Sequence, residues 1–82
     1  MSDYNGDHVF SRCHFIKLAY PSSADVVFLP VANIASIHYR DSLDRTAGSI
    51  VDLKYEICAQ GRMRRTIEVE ESPWEIAELI DD

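Results

Sequence analysis

Ser49-Ile50-Val51-Asp52-Leu53-Lys54-Tyr55-Glu56-Ile57-Cys58-Ala59-Gln60-Gly61-Arg62-Met63-Arg64-Arg65-Thr66-Ile67-Glu68-Val69-Glu70-Glu71-Ser72-Pro73-Trp74-Glu75-Ile76-Ala77-Glu78-Leu79-Ile80 changes its hydrophobic period once, and that change decides the fold class. Val51, Leu53, Tyr55 and Ile57 share one parity and Asp52, Lys54 and Glu56 the other, the pattern of an antiparallel strand with one wet face. Ala59-Gln60-Gly61-Arg62 turns the chain. Met63 to Val69 repeats the alternation, with Ile67 and Val69 inward and Arg64, Thr66, Glu68 and Glu70 outward, so residues 49–70 read as a hairpin.

After Glu71 the period becomes helical. Ser72 can cap the free backbone N–H groups, Pro73 occupies the first helical position, and Glu75 completes a capping box. Ile76, Leu79 and Ile80 then form one apolar stripe that a sheet can cover.

Working back from the hairpin, Arg40 to Gly48 is a polar loop longer than a tight turn, the best place for contact with a partner. Ile34–Arg40 reads as a strand preceded by a tight turn at Val31-Ala32-Asn33. Val26–Leu29 is a short strand ended by Pro30, and Cys13–Tyr20 is the first strand, with turn chemistry at Pro21–Asp25 between them. Residues 1–8 read as a loose leader, and 9–82 as one small α+β domain. The expected architecture is a twisted antiparallel sheet of about four or five strands, open or curled toward a barrel, closed by one C-terminal helix.

Within this order, Phe15-Ile16-Lys17-Leu18, Leu29-Pro30-Val31-Ala32-Asn33-Ile34-Ala35-Ser36-Ile37, the hairpin, and Thr66 through Ile80 resemble the FlbD-like family of short bacterial flagellar and swarming proteins, across roughly residues 15–80. Related prophage-encoded small proteins look similar. The shared positions are core and cap, so the resemblance implies a fold pattern and a bacterial or phage accessory protein rather than an activity. The N-terminal extension, the 40–49 loop and the acidic C-terminus depart from the family's pattern.

Charge is divided unevenly. The last fifteen residues carry seven acidic groups and no basic one, whereas the other 67 carry eight basic and seven acidic groups, for a net charge of −6. A pI near 4.8 opposes long-range attraction to nucleic acid. The acidic helical end therefore reads either as a solvated face or as a docking surface for a basic protein partner. Its contact residues would be Glu71, Trp74, Glu75, Glu78, Asp81 and Asp82, joined by the 40–49 loop. Trp74 strengthens the docking reading if its ring is exposed, since tryptophan is enriched at interface hot spots. The alternative is a small nucleic-acid-binding or regulatory module using Arg62, Arg64 and Arg65; against it, Arg64 and Arg65 could pair with neighbouring carboxylates. Association of two copies through an open strand edge is a further expectation.

Other chemistry is thinly represented. His8, Cys13, His14, His38 and Cys58 are the possible metal ligands, but only Cys13-His14 are adjacent, and strand alternation points those two to opposite faces, so no metal is expected. No G-x-S-x-G turn or glycine-rich phosphate loop occurs, so neither an enzyme nor a cofactor is expected. The polar N-terminus does not read as a signal peptide and no apolar run approaches bilayer length, which together favour the cytoplasm. In that compartment Cys13 and Cys58 are expected to be reduced and partly buried, although neighbouring strands would permit a disulfide between them.

Overall fold

A computed structural model describes residues 14–81; residues 1–13 and Asp82 lie outside the described part, and with them the leader, His8 and Cys13. The order is β1 (Phe15–Ala19), β2 (Val26–Pro30), a 3-10 turn (Val31–Asn33), β3 (Ile34–Tyr39), β4 (Ser49–Ala59), β5 (Arg62–Val69) and α1 (Pro73–Asp81). This is the expected α+β pattern. The five strands, however, form two antiparallel sheets, β1-β2 and β3-β4-β5, and these do not close into a barrel.

The sheets share one core. Ile16, Leu18 and Leu29 face inward from the first sheet, Val51, Leu53, Ile67 and Val69 from the second, and Ile76 from the helix. Alternation on β1 and β2 leaves Phe15, Val26 and Phe28 exposed on the opposite face, around Lys17, which stands across from Phe28. The expected helical stripe is present: Ile76 is fully buried, and Leu79 and Ile80 pack on the core from its edge. Burial of a side chain the size of Ile76 stabilises by about 2 kcal/mol.

The capping box is complete. The Ser72 N–H donates to Glu75 Oε1 at 2.9 Å, and the Glu75 N–H donates to Ser72 Oγ at 3.2 Å. The hairpin turn is tighter than its four-residue reading. Only Gln60 and Gly61 separate β4 from β5, with φ of 54° and 77°, the two positive angles that a type I′ turn needs.

The second half of β4 departs from the sequence pattern. Tyr55 was expected inward with Val51 and Leu53, yet it is 74% exposed. Between Asp52 and Ile57 the register shifts: these residues pair with Thr66 and Arg64, so β4 spends more residues than β5 and bends. The bend turns Tyr55 out of the inward parity, which Ala59 regains beyond it. Cys58 lies on the outward parity and is exposed rather than partly buried.

Asn33 compensates at the bend. Its Oδ1 accepts the Tyr55 N–H at 2.8 Å, and its Nδ2 donates to the Tyr55 carbonyl at 3.2 Å. A buried side-chain amide thus takes the place of a neighbouring strand. Replacing it with alanine removes the partners of both backbone polar groups of Tyr55, and Asn33→Ala is expected to cost about 1–3 kcal/mol in urea unfolding.

At the other end of β4, Gly48 has φ of +103°, and a Cβ there would stand 2.2 Å from the Val69 carbonyl oxygen. Backbone angle and space both exclude a side chain. Gly61, at φ +77°, has open space around the same position. Gly48→Ala is therefore expected to lose about 2–4 kcal/mol of unfolding free energy, and Gly61→Ala only about 1 kcal/mol. Equal losses would remove the steric account of Gly48.

Candidate functional site

The six residues assigned to partner contact separate into two groups. Glu71 and Glu75 serve the fold. Both carboxylate oxygens of Glu71 accept the Ala19 N–H, at 3.0 and 3.2 Å, and Glu75 closes the capping box. Glu78 and Asp81 are exposed and make no ion pair among the described residues; Asp82 lies outside them. Glu71, Glu75, Glu78, Leu79 and Asp81 nevertheless line one shallow surface groove, so their fields overlap on a single face.

Trp74 is exposed, at 72%, and its indole N–H donates to the Tyr39 hydroxyl at 2.9 Å. Tyr39 ends β3 just before the long loop, and the Arg45 guanidinium from that loop lies 5.3 Å from the centre of the Tyr39 ring. The acidic helix and the loop, named separately as contact elements, are thus joined through Trp74, Tyr39 and Arg45.

The loop itself is internally braced. Asp41 accepts the Leu43 N–H at 2.9 Å, and Asp44 accepts the Thr46 N–H and hydroxyl at 3.0 and 2.6 Å. The Thr46 hydroxyl, then its backbone N–H, holds the Asp44 carboxyl below its ordinary range. Arg40 ties the loop's ends together, bonding the Ala47 carbonyl through Nη1 at 3.1 Å and the Gly48 carbonyl through its own N–H at 3.0 Å. These turns leave Leu43 projecting, 96% exposed.

The arginines of the 62–65 stretch are not one surface cluster. Arg64 and Arg65 follow each other on β5 and so take opposite faces. Arg65 Nε donates to the Leu53 carbonyl at 3.3 Å, Arg62 is exposed beside the turn, and Arg64 is half-buried. The pairing of Arg64 and Arg65 with carboxylates, weighed against the nucleic-acid reading, is absent among the described residues. The described ion pairs are Arg40 with Glu68 at 3.3 Å and His38 with Asp52 at 2.5 Å. The whole of β5 separates the arginine turn from the helix start, roughly 25 Å of extended chain.

One cluster on the sheet's outer face was absent from the sequence reading. Asp52 receives the Ser36 hydroxyl at 2.8 Å, the Thr66 hydroxyl at 3.2 Å and His38 Nε2 at 2.5 Å. Three strands meet at this carboxylate. Serine, histidine and aspartate are the residue types of a nucleophilic triad, but hydroxyl and imidazole here both bond the carboxylate, and none of these bonds links Ser36 to His38. The only sequence signal for it was the shared parity of Ser36 and His38 on one strand.

Among the described residues, no three His, Cys, Asp or Glu side chains are grouped to hold a metal ion, and no helix is long and apolar enough to cross a membrane. Comparison with family models, with curated proteins and with solved structures finds no match, so the FlbD-like resemblance stays an expectation from the residues.

The Asp52 cluster has a pH consequence. The Ser36 hydroxyl first, then His38, holds the Asp52 carboxyl below its ordinary value. A carboxylate depressed in the fold stabilises it above the unfolded value, about pH 4, and that contribution is lost as pH falls through the lower folded value. Asp52→Asn is therefore expected to lower the urea midpoint near neutrality and to flatten the acid limb, the two curves converging as pH falls through the folded value. An unchanged acid limb would remove Asp52 from the acid response.

Proposed function

We propose that this chain is a non-catalytic cytoplasmic interaction protein, an adaptor or inhibitor of bacterial or phage origin, that docks a basic protein partner. Its contact face is the exposed side of α1 together with the loop from Arg40 to Gly48. The observation that carries the reading is the Trp74–Tyr39–Arg45 contact. It joins an exposed aromatic anchor to the loop that projects Leu43, on the helix whose Glu78 and Asp81 carboxylates have no ion pair among the described residues. Interfaces concentrate their energy in aromatic residues, while charges at the rim select the partner and speed encounter. A nucleic-acid role for Arg62, Arg64 and Arg65 has weaker support, because Arg65 takes the opposite face of β5 from Arg62 and Arg64, and Arg64 is half-buried. Self-association would use an open strand edge of the β1-β2 sheet, where Phe15, Val26 and Phe28 are exposed.

The useful variants avoid the carboxylates that hold the fold. Glu78→Lys with Asp81→Lys reverses the exposed charges while sparing Glu71 and Glu75. Trp74→Ala removes the anchor. Partners captured from the native cell should include a basic protein whose affinity falls at least tenfold with either variant, about 1.4 kcal/mol, while circular dichroism stays unchanged. Retention of the same partner by both variants at full affinity would overturn the reading.

A further inference from the structure

A pocket of about 420 Å³ lies between the Tyr20–Ser22 turn and the outer face of β5. Its charged lining is Arg40, Arg64 and Glu68, and its floor includes Ile50 and Ile67. Arg40 is already committed. Its Nε lies 3.3 Å from Glu68 and its Nη1 donates to the Ala47 carbonyl. Arg64 has no ion pair among the described residues, and its Nε, shielded from water, has no hydrogen-bond partner. Only the Nε of this half-buried side chain is out of water; an unpaired donor there is costly, and the Nη atoms are the part of the guanidinium open to an anion.

The charges of the lining decide what kind of anion fits. Arg40 and Glu68 cancel, which leaves the single positive charge of Arg64. A phosphate monoester brings about −1.5 to −2 at neutral pH and would face Glu68 with its excess charge. A carboxylate brings one negative charge in the planar form that a guanidinium grips with two parallel bonds. The remaining polar lining is neutral: the Thr66 hydroxyl is committed to Asp52, while the Tyr20 and Ser22 hydroxyls and the Gln60 amide can donate. Burial raises the Tyr20 phenol above its ordinary value against the opposing pull of Arg64, so it stays protonated and keeps its donor. The isoleucines provide contact for a short apolar body.

We propose that this pocket binds the carboxylate of a small apolar organic acid, with Arg64 as its anchor and Tyr20, Ser22 and Gln60 as supporting donors. The site shares Arg40 with the edge of the helix–loop face, but neither proposal requires the other.

The test is an NMR titration of nitrogen-15-labelled protein with sodium isobutyrate, and in parallel with sodium phosphate at matched ionic strength. Isobutyrate should shift the Arg64 Nε–H signal most, with saturation in the millimolar range, and phosphate should bind at least tenfold more weakly. Arg64→Gln should abolish the shift while keeping a dispersed spectrum. Shifts that stay linear to about 50 mM, or saturable binding retained by Arg64→Gln, would overturn the site. Phosphate binding as tight as isobutyrate would overturn the carboxylate assignment. If Arg64→Gln does not fold, the wild-type titration decides alone, since the largest shift must fall on Arg64.

Discussion

The two sheets are held to one another at the backbone of Ala19. Its carbonyl accepts the Glu70 N–H at 2.8 Å, and its N–H donates to the Glu71 carboxylate at 3.0 Å. The Glu71 carbonyl then accepts the hydroxyl of the fully buried Ser49 at 2.6 Å. Three elements meet within two peptide units: the end of β1, the start of β4 and the lead-in to the helix. Gly48 lets the start of β4 come close enough, because any side chain there would strike the Val69 carbonyl. Everything that depends on a fixed relation between the sheets, including the pocket beneath the Tyr20–Ser22 turn, depends on this junction.

That junction also explains the division of the acidic end. A carboxylate that replaces a strand in satisfying a backbone N–H is part of the fold, and changing its charge tests folding before it tests binding. Glu71 and Glu75 belong to this class, and Glu78 and Asp81 do not. Seven acidic groups in fifteen residues suggested one uniform electrostatic surface. The contacts reduce it to a structural first part and a free second part.

Local patterns were legible in the chain, and long-range exchanges between side chain and backbone were not. The helix start was readable because Ser72, Pro73 and Glu75 act on one another within a single turn. The β4–β5 hairpin was readable through Val51, Leu53, Ile67 and Val69, which keep strict parity. Parity failed at Tyr55, where the chain bends and a distant amide, Asn33, takes over from a strand. The partner face was half readable: its acidic residues and loop were named, but the Trp74–Tyr39 bond spans 35 residues and has no periodic trace. The Asp52 cluster and the Arg64 pocket were missed for the same reason, since each gathers residues from several elements that meet only in the fold.

The bend in β4 uncouples the length of the hairpin from the register of the core. From Asp52 to Ile57 one strand advances by five residues while its partner, from Thr66 to Arg64, advances by two. A strict ladder would carry any insertion straight into the core by inverting every side chain beyond it. Here the slack between Asp52 and Ile57 absorbs the mismatch. Tyr55, clasped by Asn33, is held within that slack. A change in length at the hairpin tip therefore leaves the inward setting of Val51 and Leu53 untouched, while Ala59, buried beside the turn, ties the tip to the core on its own.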